Sequence, residues 1–289
     1  MKICFSCDLA FVSDTWKCPD CGWEPPQEDG FLSFAPHLSR ANDGMNPGDF
    51  QQLQALEAGH FWFTSRNQLL QWAFGRYFAG ATSFLEVGCG TGFVLSGFRQ
   101  KFPAVRIAGT EIYTNGLRFA ETRLPGVKLA QMDARRLPFQ AEFDVIGAFD
   151  VLEHIEEDEL VLSELFRAIR PKGGLMLTVP QHPFLWSGVD EYACHKRRYT
   201  RPELIRKVRH AGFEVLRATS FVSLLLPLLL LSRWKRDRSG TCFDPLAEYR
   251  VGRLTNGILE RALELERALI TRGVSFPAGG SLLLIARRH

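Results

Sequence analysis

A chain of 289 residues, 46% of them hydrophobic, can bury one large core and a small appendage, which excludes a disordered or fibrous protein. Its formal charge of +3 is too mild to argue for a nucleic-acid binder by itself. Seven cysteines, four of them in two C-x-x-C pairs, and an opening Met1-Lys-Ile-Cys-Phe-Ser-Cys with no apolar signal core exclude a secreted disulfide framework and point to a cytoplasmic protein.

Residues 1–30 form a small module of their own. Cys4 and Cys7 are followed, ten residues on, by Cys18-Pro-Asp-Cys21 and then Gly22. Each pair can form a knuckle, and four thiolates suit tetrahedral Zn2+, whose binding would supply folding energy that so few apolar residues lack. Iron in a rubredoxin-like site fits the same ligands, and a redox dithiol stays open. The segment resembles a zinc ribbon, and one reading gives it a protein partner. Chelation is expected to melt this module and leave cofactor binding largely intact. Residues 31–48, preceded by Asp29-Gly30 and carrying Asp43-Gly44 and Asn46-Pro47-Gly48 after an apolar Phe31–Phe34 patch, read as a linker.

The remainder, 49–289, reads as one domain. Asp49 caps a helix to about Ala58, and Thr64 or Ser65 opens a second to Phe78. The rings of His60-Phe-Trp-Phe63 between them are either core or the lining of a cofactor cleft in which Arg66 pairs with a carboxylate. Next comes Phe84-Leu-Glu-Val-Gly-Cys-Gly-Thr-Gly-Phe93, a strand, a tight turn and a helix. Gly88, Gly90 and Gly92 leave a floor for a ligand. Glu86 just before them would repel a pyrophosphate and favours a cationic ligand. This E-x-G-x-G-x-G resembles motif I of the class I S-adenosylmethionine-dependent methyltransferases.

From Ser83 onward strands alternate with helices, which implies crossovers and a parallel sheet. The second strand ends at Glu111, where doubly wound folds bind ribose hydroxyls. The third ends at Met132-Asp133: Met132 can pack on an adenine and Asp133 accept from its amino group, or Asp133 can cap a helix. The fourth, Phe143 to Asp150, delivers Asp150 and then Val151-Leu-Glu-His154 to the end that faces a ligand. The set Leu137-Pro-Phe139, Asp144-Val145 and Asp150-Val-Leu-Glu-His154 is similar to methyltransferases of the ubiquinone-biosynthesis type, over about residues 60–220. That resemblance implies an α/β, doubly wound, seven-stranded, mostly parallel Rossmann-like sheet, with the last strand antiparallel at its edge. It also implies S-adenosylmethionine held by Arg66, Glu86, Gly88, Gly90, Gly92, Glu111, Met132, Asp133 and Asp150.

Beyond the fifth strand, Leu175 to Val179, the loop with Asp190-Glu-Tyr-Ala-Cys-His195-Lys-Arg-Arg-Tyr199 resembles the substrate loop of those enzymes. Arg197 and Arg198 either meet a phosphate or carboxylate or pair with Asp190 and Glu191. An oxygen acceptor must lose a proton, and the candidate bases are His195 first, His154 second, and His182. Phe221 to Leu231 is apolar but too short to span a bilayer, and Arg233-Trp-Lys-Arg-Asp-Arg238 follows it. Buried core and peripheral contact with the inner face of the membrane both fit. An amphipathic helix at 247–272 completes an insertion at about 221–272, and Ser281 to Ala286 forms the last strand. The leading expectation is methyl transfer to a small-molecule or lipid-linked acceptor, such as a quinone precursor or glycan intermediate. An rRNA or tRNA methyltransferase using the zinc module and basic loop, and a non-catalytic cofactor-binding scaffold, are the alternatives.

Overall fold

A computed structural model describes residues 1–39, 47–239 and 251–289; within these, the side chains of 47–49 and 233–239 are not described. Two short hairpins open the chain, β1 (Lys2–Ile3) with β2 (Ala10–Phe11) and β3 (Gln27–Glu28) with β4 (Phe31–Ser33). Helices α1 (Pro47–Glu57) and α2 (Phe61–Tyr77) lead into the alternating part: β5 (Ser83–Val87), α3 (Phe93–Lys101), β6 (Arg106–Glu111), α4 (Thr114–Arg123), β7 (Lys128–Gln131) and β8 (Phe143–Phe149). Then come α5 (Asp158–Ala168), β9 (Ile169–Pro180), α6 (Gly188–Tyr192), α7 (Arg201–His210), β10 (Phe213–Phe221), α8 (Leu226–Ser239), α9 (Arg253–Thr271) and β11 (Ser281–Arg288).

The central strand β5 is buried at all five positions, as a strand covered on both faces must be. Its neighbours are β6 and β8, both parallel to it, and the full order is β10-β11-β9-β8-β5-β6-β7-β4-β3. The expected seven strands are present in this order, and β4 and β3 extend them to nine. The reading of 31–48 as a linker therefore fails at Phe31–Ser33: β4 runs parallel to β7 in register Leu32 with Ala130, and sheet pairing outweighs the turn signals around it. The last strand, β11, is antiparallel as expected, but it lies between β10 and β9, and the edge belongs to β10. Gly279 allows this return, because a Cβ there would stand 2.4 Å from the Phe221 carbonyl oxygen.

Two cores flank the sheet. One joins α2, α3, α4 and α9 through residues such as Leu70, Phe74, Phe98 and Ile270; the other joins α5 and α7 through Val161, Leu165 and Leu204. Helix α2 starts earlier than Thr64, with His60 as its cap accepting from the Trp62 N–H. The ring cluster behind it is core at Phe63, while Trp62 meets Arg66. The apolar run near 221–231 is divided: Phe221, Val222 and Leu225 are buried, and Leu224, Leu228, Leu230 and Leu231 are exposed. The basic run Arg233–Arg238, the turn signals at 43–46 and the cap at Asp49 lie outside the described residues and side chains. Helix α9 buries Leu263 and Ile270 but exposes Leu254, Ile258 and Leu265. No described helix is long and apolar enough to cross a membrane.

The crossover from β7 to β8 contains no helix, and the first 30 residues stand against it. The Ile3 N–H donates to the Pro138 carbonyl at 3.0 Å, and the Gln140 N–H to the Met1 carbonyl at 3.0 Å. Trp16 meets Phe34 and Phe139 edge-on at 4.6 and 5.8 Å, Phe5 meets Phe34 at 5.6 Å, and Arg136 lies 4.1 Å over the Phe5 ring. Phe5, Trp16 and Trp23 thus pack on the α5 side of the main core.

Candidate active site

The loop after β5 is fastened to β6: the N–H groups of Gly88 and Cys89 both donate to the Thr110 carbonyl, at 2.8 and 2.9 Å. Gly88 and Gly90 take left-handed φ of 72° and 51°. A Cβ on Gly88 would lie 2.4 Å from Val151, whereas one on Gly90 would meet nothing within 4 Å. Gly90 is therefore where backbone faces open space, and Gly92 instead backs onto Leu124 and Ala120.

Four carboxylates stand at the same end of adjacent strands: Glu86 on β5, Glu111 on β6, Asp133 just past β7 and Asp150 just past β8. Glu86 is 3% exposed with one oxygen unpartnered, and burial pushes its carboxyl well above the usual range against the pull of Arg66. Glu111 accepts from the N–H groups of Gly90 (2.9 Å), Ile112 (2.8 Å) and Tyr113 (3.3 Å); burial raises its pKa in spite of them. The buried Met132 donates its N–H to the Glu111 carbonyl. Asp133 holds the Arg135 guanidinium at 3.0 to 3.1 Å through Nε. Arg66, 4.4 Å over the Trp62 ring, pairs with Asp150, which takes a left-handed φ of 58°.

Beside Asp150 a short 3-10 turn, Leu152–His154, meets the loop after β9. The Lys196 N–H donates to the Glu153 carbonyl at 2.6 Å, which draws His195 beside His154 with ring centroids 4.7 Å apart. His195 Nδ1 lies 2.9 Å from Asp190, and Arg198 Nε donates to the same oxygen at 2.7 Å. Burial and the neighbouring His195 hold His154 down to about 4, against a contact with the Ala193 carbonyl. Glu153 is wholly buried, and among the described residues neither of its carboxylate oxygens has a hydrogen-bond partner. His182 stacks on Phe184 at 4.9 Å and does not join this group.

Arg197 and Arg198 are both engaged. Arg198 pairs with Asp190, while Arg197 pairs with Glu156 and Asp158 rather than Glu191. Below them Asp158 accepts from Tyr199 Oη at 2.6 Å and from Lys207 at 2.6 and 2.8 Å. Sequence reading assigned no role to Asp158, Lys207 or Glu153, nor to the buried Glu57 that binds Thr91 and Arg123 at 2.6 and 2.7 Å. Glu153 lay inside a motif already recognised, next to His154. The others carry no local signal, since their partners are distant in sequence.

Asp190 supplies a pH test. Burial raises its pKa, but the bonds from His195 and Arg198 win and hold it at about 2. A carboxylate lowered in the fold stabilises above its unfolded value near 4, and that contribution is lost as pH falls through its folded value. Urea unfolding between pH 5 and 2 should therefore lose about 2 kcal/mol that an Asp190→Asn variant lacks; parallel curves would refute the role.

At the other end of the chain, Cys4 and Cys21 sulfurs lie 3.6 Å apart, Cys7 and Cys18 3.7 Å, and all four within 4.8 Å of one another. Tetrahedral zinc with Zn–S near 2.3 Å needs sulfurs about 3.8 Å apart, so the thiols fit the ion.

Residues 85–177, which contain the glycine loop and the first four carboxylate-bearing strand ends, match a family described as methyltransferase domain. Residues 85–177 thus carry the pattern of a methyltransferase domain, and there the chain is similar to S-adenosylmethionine-dependent methyltransferases. Among curated relatives, a probable S-adenosylmethionine-dependent methyltransferase of Mycolicibacterium smegmatis is 28% identical over 56% of this chain and 63% of its own length. A trans-aconitate 2-methyltransferase of Azoarcus is 30% identical over 35% of this chain and 40% of its own. Both matches thus span less than two thirds of the relative. A ubiquinone biosynthesis O-methyltransferase of Azoarcus is 22% identical over 60% of this chain and 85% of its own. Among solved structures, phosphoethanolamine N-methyltransferase 2 of Haemonchus contortus aligns with TM-score 0.57 at 18% identity, over 91% of this chain and 61% of the other. A SAM-dependent methyltransferase of Thermotoga maritima aligns at 0.54 and 15%, over 84% and 96%. At these identities the structural likeness establishes the fold, and the methyltransferase domain is Rossmann-like with a mostly parallel sheet.

Proposed function

We propose that the chain transfers the S-adenosylmethionine methyl group to a small-molecule or lipid-linked acceptor. The observation that carries this is the row of Glu86, Glu111, Asp133 and Asp150 along adjacent strand ends, with Gly90 facing open space among them. In this reading Glu111 holds the ribose hydroxyls, Met132 and Asp133 meet the adenine, and the loop Gly88 to Gly92 takes the methionine part. Glu86 and the Arg66–Asp150 pair answer its ammonium and carboxylate. When bound, the cofactor supplies an electrophilic sulfonium methyl; the chain's residues have to align the acceptor and exclude water. His195, fixed by Asp190, and His154 beside it face the acceptor.

Two observations favour a small or lipid-linked molecule over RNA. Arg197 and Arg198, the cationic residues an RNA would use, are spent on internal carboxylates. Exposed Leu224, Leu228, Leu230 and Leu231 offer a path for an acyl or prenyl chain, so a lipid-linked quinone precursor or glycan intermediate is the class we favour. We further assign structural zinc to Cys4, Cys7, Cys18 and Cys21.

Calorimetry tests the cofactor reading. S-adenosylhomocysteine and S-adenosylmethionine should both bind, and Glu111→Ala should weaken them by about 1 to 3 kcal/mol, the worth of charge-assisted hydrogen bonds. Binding of NAD with no response to either sulfur compound would overturn it, and cofactor binding without turnover on any acceptor would favour the scaffold alternative.

A further inference from the structure

The methyl-transfer reading leaves Glu153 unexplained. A carboxylate that is wholly buried with both oxygens unpartnered is costly unless something cationic meets it. The cationic side chains nearest to it, Arg66 and Arg198, act on it only through space, because each is already paired, with Asp150 and Asp190. Its neighbours in space are two imidazoles. Ligand atoms of Glu153, His154 and His195 all lie within 4.8 Å of one another, so small side-chain rotations bring them to the spacing of about 3 to 3.5 Å that donors keep around an ion at 2.1 Å.

The supporting contacts have the pattern of a metal centre as well. Ligating histidines direct their second ring nitrogen to a carboxylate or a backbone carbonyl, which fixes tautomer and ring orientation. Here His195 does so through Nδ1 to Asp190, at 2.9 Å, and His154 does so to the Ala193 carbonyl. Asp190 is itself held by Arg198. Each imidazole has this one anchoring contact, and each offers one ligand atom to the cluster with Glu153.

We infer that Glu153, His154 and His195 bind a divalent first-row transition cation. Two nitrogens and one carboxylate oxygen are a set that suits such ions, and three protein ligands leave coordination positions open. The site adjoins Asp150, at the ligand-facing end of β8. The cation's role there rests on the methyl-transfer reading; its binding does not. A hydroxyl acceptor would place its oxygen on the ion, which lowers the hydroxyl pKa so that the proton leaves to solvent. The resulting oxyanion forms the new O–C bond as the C–S bond of the sulfonium breaks, releasing the neutral thioether. In this arrangement His195 acts on the acceptor through the ion instead of taking its proton directly.

Cobalt(II) added to the full-length, zinc-loaded chain is the probe, because it reports its ligands in the visible spectrum. We expect one equivalent to bind with ligand-field bands and without a thiolate charge-transfer band. Glu153→Gln and His195→Ala should each weaken it at least tenfold, while calorimetric S-adenosylhomocysteine binding confirms that each variant is folded. If either variant fails to fold, His154→Gln replaces it with the same expected loss. Cobalt that binds only with thiolate bands, or with unchanged affinity in the variants, overturns the site. S-adenosylhomocysteine binding without such cobalt binding would sink the cation and spare the methyltransferase reading, and the converse would do the opposite.

Discussion

Removing metal from the Cys4, Cys7, Cys18 and Cys21 cluster is expected to lower the melting temperature of the whole chain, not of residues 1–30 alone. From sequence the module reads as a small appendage whose chelation melts the first 30 residues and leaves cofactor binding largely intact. Its packing says otherwise, for Phe5, Trp16 and Trp23 sit on the main core and cover the face of the sheet where the β7-to-β8 crossover carries no helix. Thiolates without an ion would release those rings together. Losing even one large aromatic contact costs about 3 to 5 kcal/mol, and a chain of this size shifts by roughly 2 to 4 °C for each kcal/mol, so the drop should be about 6 to 20 °C. Differential scanning calorimetry with a chelator checks it. Trp16→Ala in the metal-loaded protein should reproduce part of the drop, and two separate transitions with the larger unmoved would mean that the module stands alone.

The second large effect should come from Asp158→Ala. Asp158 is 3% exposed and takes hydrogen bonds from Lys207 and Tyr199, both buried, with Arg197 at 3.2 Å. Burial disfavours its charge, but Lys207 and Tyr199 outweigh this and lower its pKa, so the ion pair exists throughout the neutral range. Truncation strands an ammonium and a phenol in the core, and breaking a buried pair this way costs about 3 to 5 kcal/mol. Urea unfolding should show that loss, and adding Lys207→Met should recover much of it, since the stranded charge goes with it. A loss below about 1 kcal/mol would mean that water reaches the pair. The same variant should also loosen the loop carrying His195, because Tyr199 and Arg197 anchor its far end on Asp158.

The glycine loop and the acidic strand ends were legible because their meaning is local. An apolar run followed by Gly88, Gly90 and Gly92 specifies a strand and a turn whatever else the chain does, and each later carboxylate follows its own apolar run. Three kinds of feature were not legible. Strand β4 is three residues long inside a turn-rich stretch, and its conformation is decided by β7, almost a hundred residues away in the chain. The placement of β11 inside the sheet depends on which edge β10 takes, a choice made by tertiary pairing. Arg197 could have met Glu191, close by in sequence, but it met Glu156 and Asp158 because the backbone bond from Lys196 to Glu153 turns the loop toward the start of α5. For Glu153 the letter was visible and the burial was not.

The docking of the first 30 residues also sets an order of events during synthesis. Phe5 is made before Arg136, whose side chain covers its ring and which is 131 residues further along. At about 5 to 20 residues per second, that gap is on the order of ten seconds. For that interval the cysteine module can close on a metal by itself, but its aromatic face has no platform. It must wait, uncovered, until the strands around β8 are made. On the zinc assignment proposed above, cells short of the metal would carry a nascent chain with a loose, ring-rich segment at the moment the sheet assembles, and the defect would register as poor yield of the entire protein before it registered as lost catalysis.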